Sequence, residues 1–196
     1  MWNERYSAPH YIYGTEPNDF LREQVSALPP GGRLLCLAEG EGRNAVFLAG
    51  QGFAVTAVDL SEVGLAKAAA LATQRGVQID IVHADLADFD LGLERWDGII
   101  SIFCHLPSVV RQPLYARLAA ALRPGGVLLL ESYTPRQLAF GTGGPRDVDM
   151  LIDVDTLRRE LTGLHFDLLR EVEREIVEGT FHTGMAAVVQ AVAHKG

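Results

Sequence analysis

Cysteine is scarce in this 196-residue chain, Cys36 and Cys104 being the only two. Both fall in apolar runs read as buried strands, so a disulfide framework or a thiolate metal site has no support, and reduced, buried thiols are expected. No apolar run approaches the ~18 residues of a membrane span. The opening MWNERYSAPH lacks the basic and apolar regions of a secretion signal. A cytoplasmic protein without membrane contact is the expectation. Basic residues are also in deficit, with 17 Lys and Arg against 25 Asp and Glu and a formal net charge of -8. Contact along a phosphate backbone needs clustered Lys and Arg, which argues against nucleic acid as a partner. Internal repeats and low-complexity segments are absent, and 48% hydrophobic residues suit one buried core. A single domain over 1–196 follows, oligomeric state not being readable.

What is present is organised around Arg33 to Leu60, RLLCLAEGEGRNAVFLAGQGFAVTAVDL. An apolar run, Leu34 to Ala38, precedes Gly40-Glu41-Gly42-Arg43-Asn44-Ala45. A helix-compatible segment, a stop at Gly52 and a second apolar run ending in Asp59 come next. This is the strand, glycine turn, helix, strand and closing carboxylate of a nucleotide-binding βαβ unit. Gly40 and Gly42 lack Cβ atoms, so main-chain amides can approach a ligand, and Asp59 can accept from ribose hydroxyls across the cleft.

The segment before this unit, residues 1–32, carries Trp2, Tyr6, Tyr11 and Tyr13, a lid-like aromatic stretch, and then Asn18 as N-cap of a helix over Asp19 to Leu28. After Asp59, Ser61 caps an Ala-rich helix that runs to Arg75 and stops at Gly76. A third strand spans Val77 to His83, a fourth Gly98 to Cys104 and a fifth Val127 to Ser132, with a helix from Ser108 to Leu122. Tyr133 to Met150 is a long Gly- and Pro-containing loop, of the kind that is often functional. A short helix over Asp155 to Leu161, a half-buried strand with Phe166, Leu168, Val172 and Ile176, and a strand over Phe181 to Ala193 complete the chain. The expected fold is α/β, a Rossmann-like doubly wound sheet of seven strands, mostly parallel, with an antiparallel hairpin at the C-terminal end of a core spanning 33–196.

Four motifs at ordered spacing resemble the class I S-adenosylmethionine-dependent methyltransferases, within them the small tellurite-resistance and thiopurine methyltransferase-like group. They are Glu39 to Asn44 after the first strand, Asp59 after the second, Ala84-Asp85-Leu86 after the third, and Leu122-Arg123-Pro124-Gly125-Gly126 before the fifth. The resemblance implies that the loop Ala38, Glu39, Gly40, Glu41 and Gly42, continuing to Asn44, wraps the methionine part of the cofactor. It implies that Asp59 holds the ribose, Leu60 flanks the adenine, Asp85 reaches its amino group and Leu86 offers a backbone amide. Phe103, Cys104 and His105 are then expected to face the methyl group. The family pattern has an acidic residue where Cys36 stands and a glycine where Ala38 stands, leaving Glu39 as the carboxylate for the cofactor's amino group.

The same glycine spacing with Asp59 also satisfies a nicotinamide-dinucleotide fingerprint, so an NAD-dependent oxidoreductase is the rival, and a non-catalytic adenosylmethionine-binding protein a third reading. Glu39 and Glu41 beside the turn disfavour a diphosphate and suit a sulfonium. The implied reaction is in-line methyl transfer to a small-molecule acceptor with release of S-adenosyl-L-homocysteine, no metal being expected. His105, titrating near neutral pH, and Tyr133 are the catalytic candidates. Tyr11, Tyr13, Glu16 and Arg146 are loop residues able to close over the acceptor, and His182 is read as structural.

Overall fold

A computed structural model describes residues 2–179 and 182–196. Helix α1 (Trp2–Tyr6) leads to α2 (Asp19–Gln24), which passes into a 3-10 turn over Val25–Ala27. Strand β1 (Arg33–Leu37), helix α3 (Arg43–Gly50) and strand β2 (Ala54–Asp59) form the expected unit. Then follow α4 (Glu62–Arg75), β3 (Asp80–His83), β4 (Trp96–Ile102), α5 (Ser108–Ala121), β5 (Leu122–Tyr133), α6 (Val154–Glu160), β6 (His165–Glu178) and β7 (His182–His194). The strands make one sheet in the order β3-β2-β1-β4-β5-β7-β6. β1 to β5 pair in parallel, while β7 is antiparallel to both β5 and β6. The doubly wound fold with its terminal hairpin is therefore present.

Both faces of the sheet are covered, and the alternation of side chains along β1 shows how. Leu35 and Leu37 point into a core with Leu114, Tyr115 and Leu118 of α5 and Leu157 of α6. Leu34 and Cys36 point to the opposite core with Phe20 and Leu21 of α2 and Ala45 and Leu48 of α3. Burial on both sides is why the central strands read as unbroken apolar runs rather than as an alternation. Cys36 and Cys104 are both buried and unpaired. Burial raises both thiols, Cys104 to about 12.

Local chemistry sets the boundaries. Ser61 caps α4 by accepting from the Gly64 amide, and Gly76 ends it in a left-handed conformation, both as the sequence predicts. Asn18 caps α2 by accepting from Leu21. Several boundaries shift, among them those of β3, β4 and β5. β3 begins at Asp80 rather than Val77, because the Val77 amide is spent on the Ala72 carbonyl at the end of α4. β4 ends at Ile102, since Phe103 takes φ 51° and turns the chain. β5 starts early at Leu122, which pairs with Trp96 ahead of an irregularity at Arg123-Pro124-Gly125-Gly126. Phe181, the expected start of the last strand, lies outside the described residues. The long loop after β5 contains two 3-10 turns, Pro135–Ala139 and Val148–Met150.

Gly42 shows how tightly α3 and α4 meet. A Cβ built there would lie 2.5 Å from the Ala68 Cβ, and its φ is 89°. Gly42→Ala therefore combines overpacking with a strained backbone and is expected to cost about 3 kcal/mol. A urea-unfolding free energy within 1 kcal/mol of the parent protein's would contradict this packing.

Candidate functional site

The crevice lies at the carboxyl ends of β1, β2 and β4, where an open α/β sheet receives ligands. The turn after β1 uses left-handed backbone at Ala38 (φ 49°), Gly40 (φ 62°) and Gly42 (φ 89°). Ala38 thus adopts, with a side chain, a left-handed conformation that ordinarily favours glycine.

Three carboxylates surround the turn and do different work. Glu39 folds back onto the start of α3, its Oε1 accepting from the amides of Asn44 (2.9 Å) and Ala45 (2.8 Å). Burial is the largest influence on it and lifts its carboxyl to about 7, against the pull of those two amides and of Arg43. Asp59 bridges the crevice, Oδ2 accepting from Gly40 (2.8 Å) and Oδ1 from Ser61 (2.7 Å). Burial raises this carboxyl too.

Glu41 corrects the sequence reading. Its Oε1 pairs with Lys67 at 2.7 Å, and its Oε2 accepts from Ile12 (2.8 Å) and Tyr13 (3.3 Å). Its charge is neutralised and its side chain ties down the N-terminal segment, so only its backbone is left for a ligand. Arg43 does not balance it, because Arg43 is paired with Glu178 at 2.7 Å. Asn44 is likewise committed, its amide to Glu39 and its Oδ1 to the Asn18 amide at 2.9 Å.

On the adenine side, Leu60 is exposed and its carbonyl meets His83 Nε2 at 2.9 Å. Asp85 is exposed, accepts from Ala87, and precedes the buried Leu86. Above the turn stands Tyr6 of α1, whose hydroxyl lies 2.6 Å from where a Gly40 Cβ would be and whose ring borders Gly64. Asn3 of the same helix accepts from the Ser61 hydroxyl at 2.6 Å. The aromatic N-terminal segment therefore covers the crevice, and glycine at 40 and 64 makes the close approach possible.

At the end of β4 the expected trio separates. Cys104 packs into the apolar core with Leu114 and Leu118, so its side chain does not face the crevice. Phe103 and His105 instead join Tyr133, Tyr13 and His182 in a cluster of rings. Phe103 and Tyr133 stack at 4.6 Å, His105 and Tyr133 at 5.4 Å, and His182 stands edge-on to Phe103 at 4.9 Å. Tyr13 lies 4.6 Å from His182. His182, read as structural, is thus brought beside both catalytic candidates. His105 does not titrate near neutral pH, because burial, and secondarily His182, lower it to about 3. Burial also keeps His182 below the ordinary histidine range.

Beneath the rings is a buried polar network that the sequence reading missed. Asn18 Nδ2 donates to Glu131 and to Glu178, each at 2.8 Å. Glu131 also accepts from Gln190 (2.6 Å) and Arg174 (2.5 Å). Although burial opposes it, pairing with His182 and Arg43 holds the Glu178 carboxyl down to about 2. The available signal was Glu131, a charge inside the apolar run of β5, since a buried carboxylate requires partners.

The donor set decides between ligands. A diphosphate at the start of α3 needs the free amides of that turn, and Glu39 already occupies two of them with a carboxyl oxygen. A carboxyl group suits an ammonium, although the Glu39 side chain also meets the Cys36 thiol, and each Asp59 oxygen keeps a lone pair for a ribose hydroxyl. Among the described residues no group of three or more His, Cys, Asp or Glu is placed to hold a metal. No described helix is long and apolar enough to cross a membrane.

Residues 34–126 match the family described as a methyltransferase domain. A protein of Geobacillus sp. (strain WCH70) with methyltransferase in its name is 35% identical over 108 residues, which is 52% of this chain and 42% of that protein. The match thus spans less than half of that relative. A SAM-dependent methyltransferase structure from Methanosarcina mazei superposes with a TM-score of 0.72 at 17% identity, over 92% of this chain and 98% of that one. TehB from Haemophilus influenzae gives a TM-score of 0.72 at 18% identity, over 100% of this chain and 66% of that one. A methyltransferase-domain match over the first half of the sheet thus joins a strand order and an overall fold similar to those of solved S-adenosylmethionine-dependent methyltransferases.

Proposed function

We propose that this protein transfers a methyl group from S-adenosylmethionine to a small-molecule acceptor. The observation that carries the reading is the Glu39 carboxylate seated on the first amides of α3 beside the turn over Gly40 and Gly42. When bound, adenosylmethionine supplies a methyl group on a positively charged sulfur. The chain's own part is positioning and exclusion of water. Glu39 Oε2 receives the ammonium, Asp59 the ribose, and Leu60, Asp85 and Leu86 border the adenine. Tyr6 closes over the turn, and the rings of Phe103 and Tyr133 wall the acceptor side. Because an activated methyl needs little chemistry from the protein, alignment of the acceptor with the carbon–sulfur bond is the main task. The acidic surface and the covered crevice both favour a small acceptor over a nucleic acid.

Thermal shift tests this directly. A ligand that binds only the native state at about 100 times its Kd adds roughly 2.7 kcal/mol, or about 5 to 10 °C for a domain of this size. Adenosylhomocysteine is expected to give that shift and NAD none. A shift with NAD alone would return the chain to the dinucleotide reading.

A further inference from the structure

Among the described residues, three buried polar atoms around the ring cluster have no hydrogen-bond partner: Arg43 Nη1, His105 Nε2 and His182 Nδ1. Arg43 and His182 are nine-tenths buried, and both converge on Glu178 Oε2, at 2.7 Å and 3.8 Å. Buried polar atoms without partners are costly, and three around one cluster point to a site completed by a ligand. We infer that Arg43, His105 and His182 form the acceptor site of the proposed methyl transfer, and that it takes a compact anion which attacks without giving up a proton to the protein.

Size follows from the rings. Phe103, Tyr133, His182 and Tyr13 pack against one another at 4.6 to 5.4 Å, too close for a flat acceptor to slide between them. Charge follows from the guanidinium, whose unpartnered Nη1 can only donate. Absence of a proton acceptor follows from the surroundings. Glu178 is held by Arg43 and Asn18, and Glu131 by Asn18, Arg174 and Gln190. His105 lies among rings and burial keeps it neutral, and His182, although 3.8 Å from Glu178 Oε2, is kept below the ordinary histidine range by its own burial. The acceptor's lone pair therefore forms the bond to the methyl carbon while the carbon–sulfur electron pair leaves with sulfur. The acceptor anion and the sulfonium are neutralised together, and no proton moves.

This inference rests on the methyl-transfer reading for the role of the site, but its test does not. Acetate and acetamide are nearly equal in shape and differ in charge. Their binding is followed through the imidazole resonances of His105 and His182, in protein with and without adenosylhomocysteine. Acetate is expected to shift both resonances and to bind on the order of tenfold tighter than acetamide. Arg43→Gln is expected to remove that preference, and His182→Gln to weaken acetate binding several-fold while keeping it. If Arg43→Gln does not fold, the comparison in the parent protein decides alone. Equal binding of the two probes, or no shift with either, overturns the site. Failure of adenosylhomocysteine to bind, with the acetate preference intact, refutes the methyl-transfer reading and leaves the anion site standing.

Discussion

Glu39→Gln is expected to yield a more stable protein that binds its cofactor poorly. Burial lifts the Glu39 carboxyl from 4.5 to about 7. The folded state then keeps a proton that the unfolded chain releases. The resulting cost to stability is absent below pH 4.5, grows as pH rises towards 7, and is complete above it, at roughly 3 kcal/mol. Glutamine cannot ionise, and its carbonyl still accepts from Asn44 and Ala45. The variant should gain about 2 to 3 kcal/mol of unfolding free energy in mildly alkaline buffer and almost nothing at acidic pH. Its affinity for adenosylhomocysteine should fall about 30-fold, the worth of one charge-assisted hydrogen bond to an ammonium. Parent affinity should drop by on the order of tenfold per pH unit below 7, as the carboxylate takes its proton, whereas the variant's should be flat. Calorimetric titration and urea unfolding across pH measure both effects. Unchanged affinity in the variant would remove Glu39 from the cofactor site. Unchanged stability would show that its carboxyl is not lifted by burial. A residue that destabilises the fold in order to meet a ligand is a common mark of function.

The second large effect is expected at Asn18. Its amide Nδ2 is shared between the Glu131 and Glu178 carboxylates, its Oδ1 caps α2 at Leu21, and its own N–H is held by Asn44. Asn18→Asp removes an amide that donates to both carboxylates and sets a third negative charge between them. The residue is fully buried, so solvent cannot relieve the repulsion. A loss of about 4 kcal/mol is expected, much of a typical domain's stability. Asn18→Ala, which deletes the bonds without adding charge, should cost about half as much. Equal costs for the two variants in urea unfolding would show that charge is not what Asn18 manages.

The two sites also show what could be read from residues in order and what could not. Backbone-dictated features were legible. The glycine turn, Asp59 closing β2, Ser61 opening α4 and Gly76 ending it each follow from the local conformation a residue permits. Fold class followed from the alternation of apolar runs with helical segments. The side-chain partnerships were not legible, because they join residues remote in sequence. Glu41 looked like a charge awaiting a ligand until Lys67 and the amides of Ile12 and Tyr13 were found on it. Asn18 looked like a helix cap and is one, yet its other bonds reach 113 and 160 residues along the chain. His105 was taken at its solution titration, and only the packing of Tyr133 and His182 around it reveals how completely it is dried. Cys104, expected to end β4 and to face the methyl group, instead follows the strand, and the turn at Phe103 sends its thiol into the core.

The strand order carries a consequence for how the protein is made. β7 lies between β5 and β6, although it is the last strand in sequence. As the nascent chain leaves the ribosome, the apolar flank of β5 waits without a neighbour until some sixty further residues have been added, and β6 emerges with nothing beside it to bind. That interval exposes an open, water-poor ladder to other chains. Slow translation through the segment encoding the loop after β5 should therefore favour aggregates, and a chaperone that shields strand flanks should act on this intermediate rather than on the finished protein.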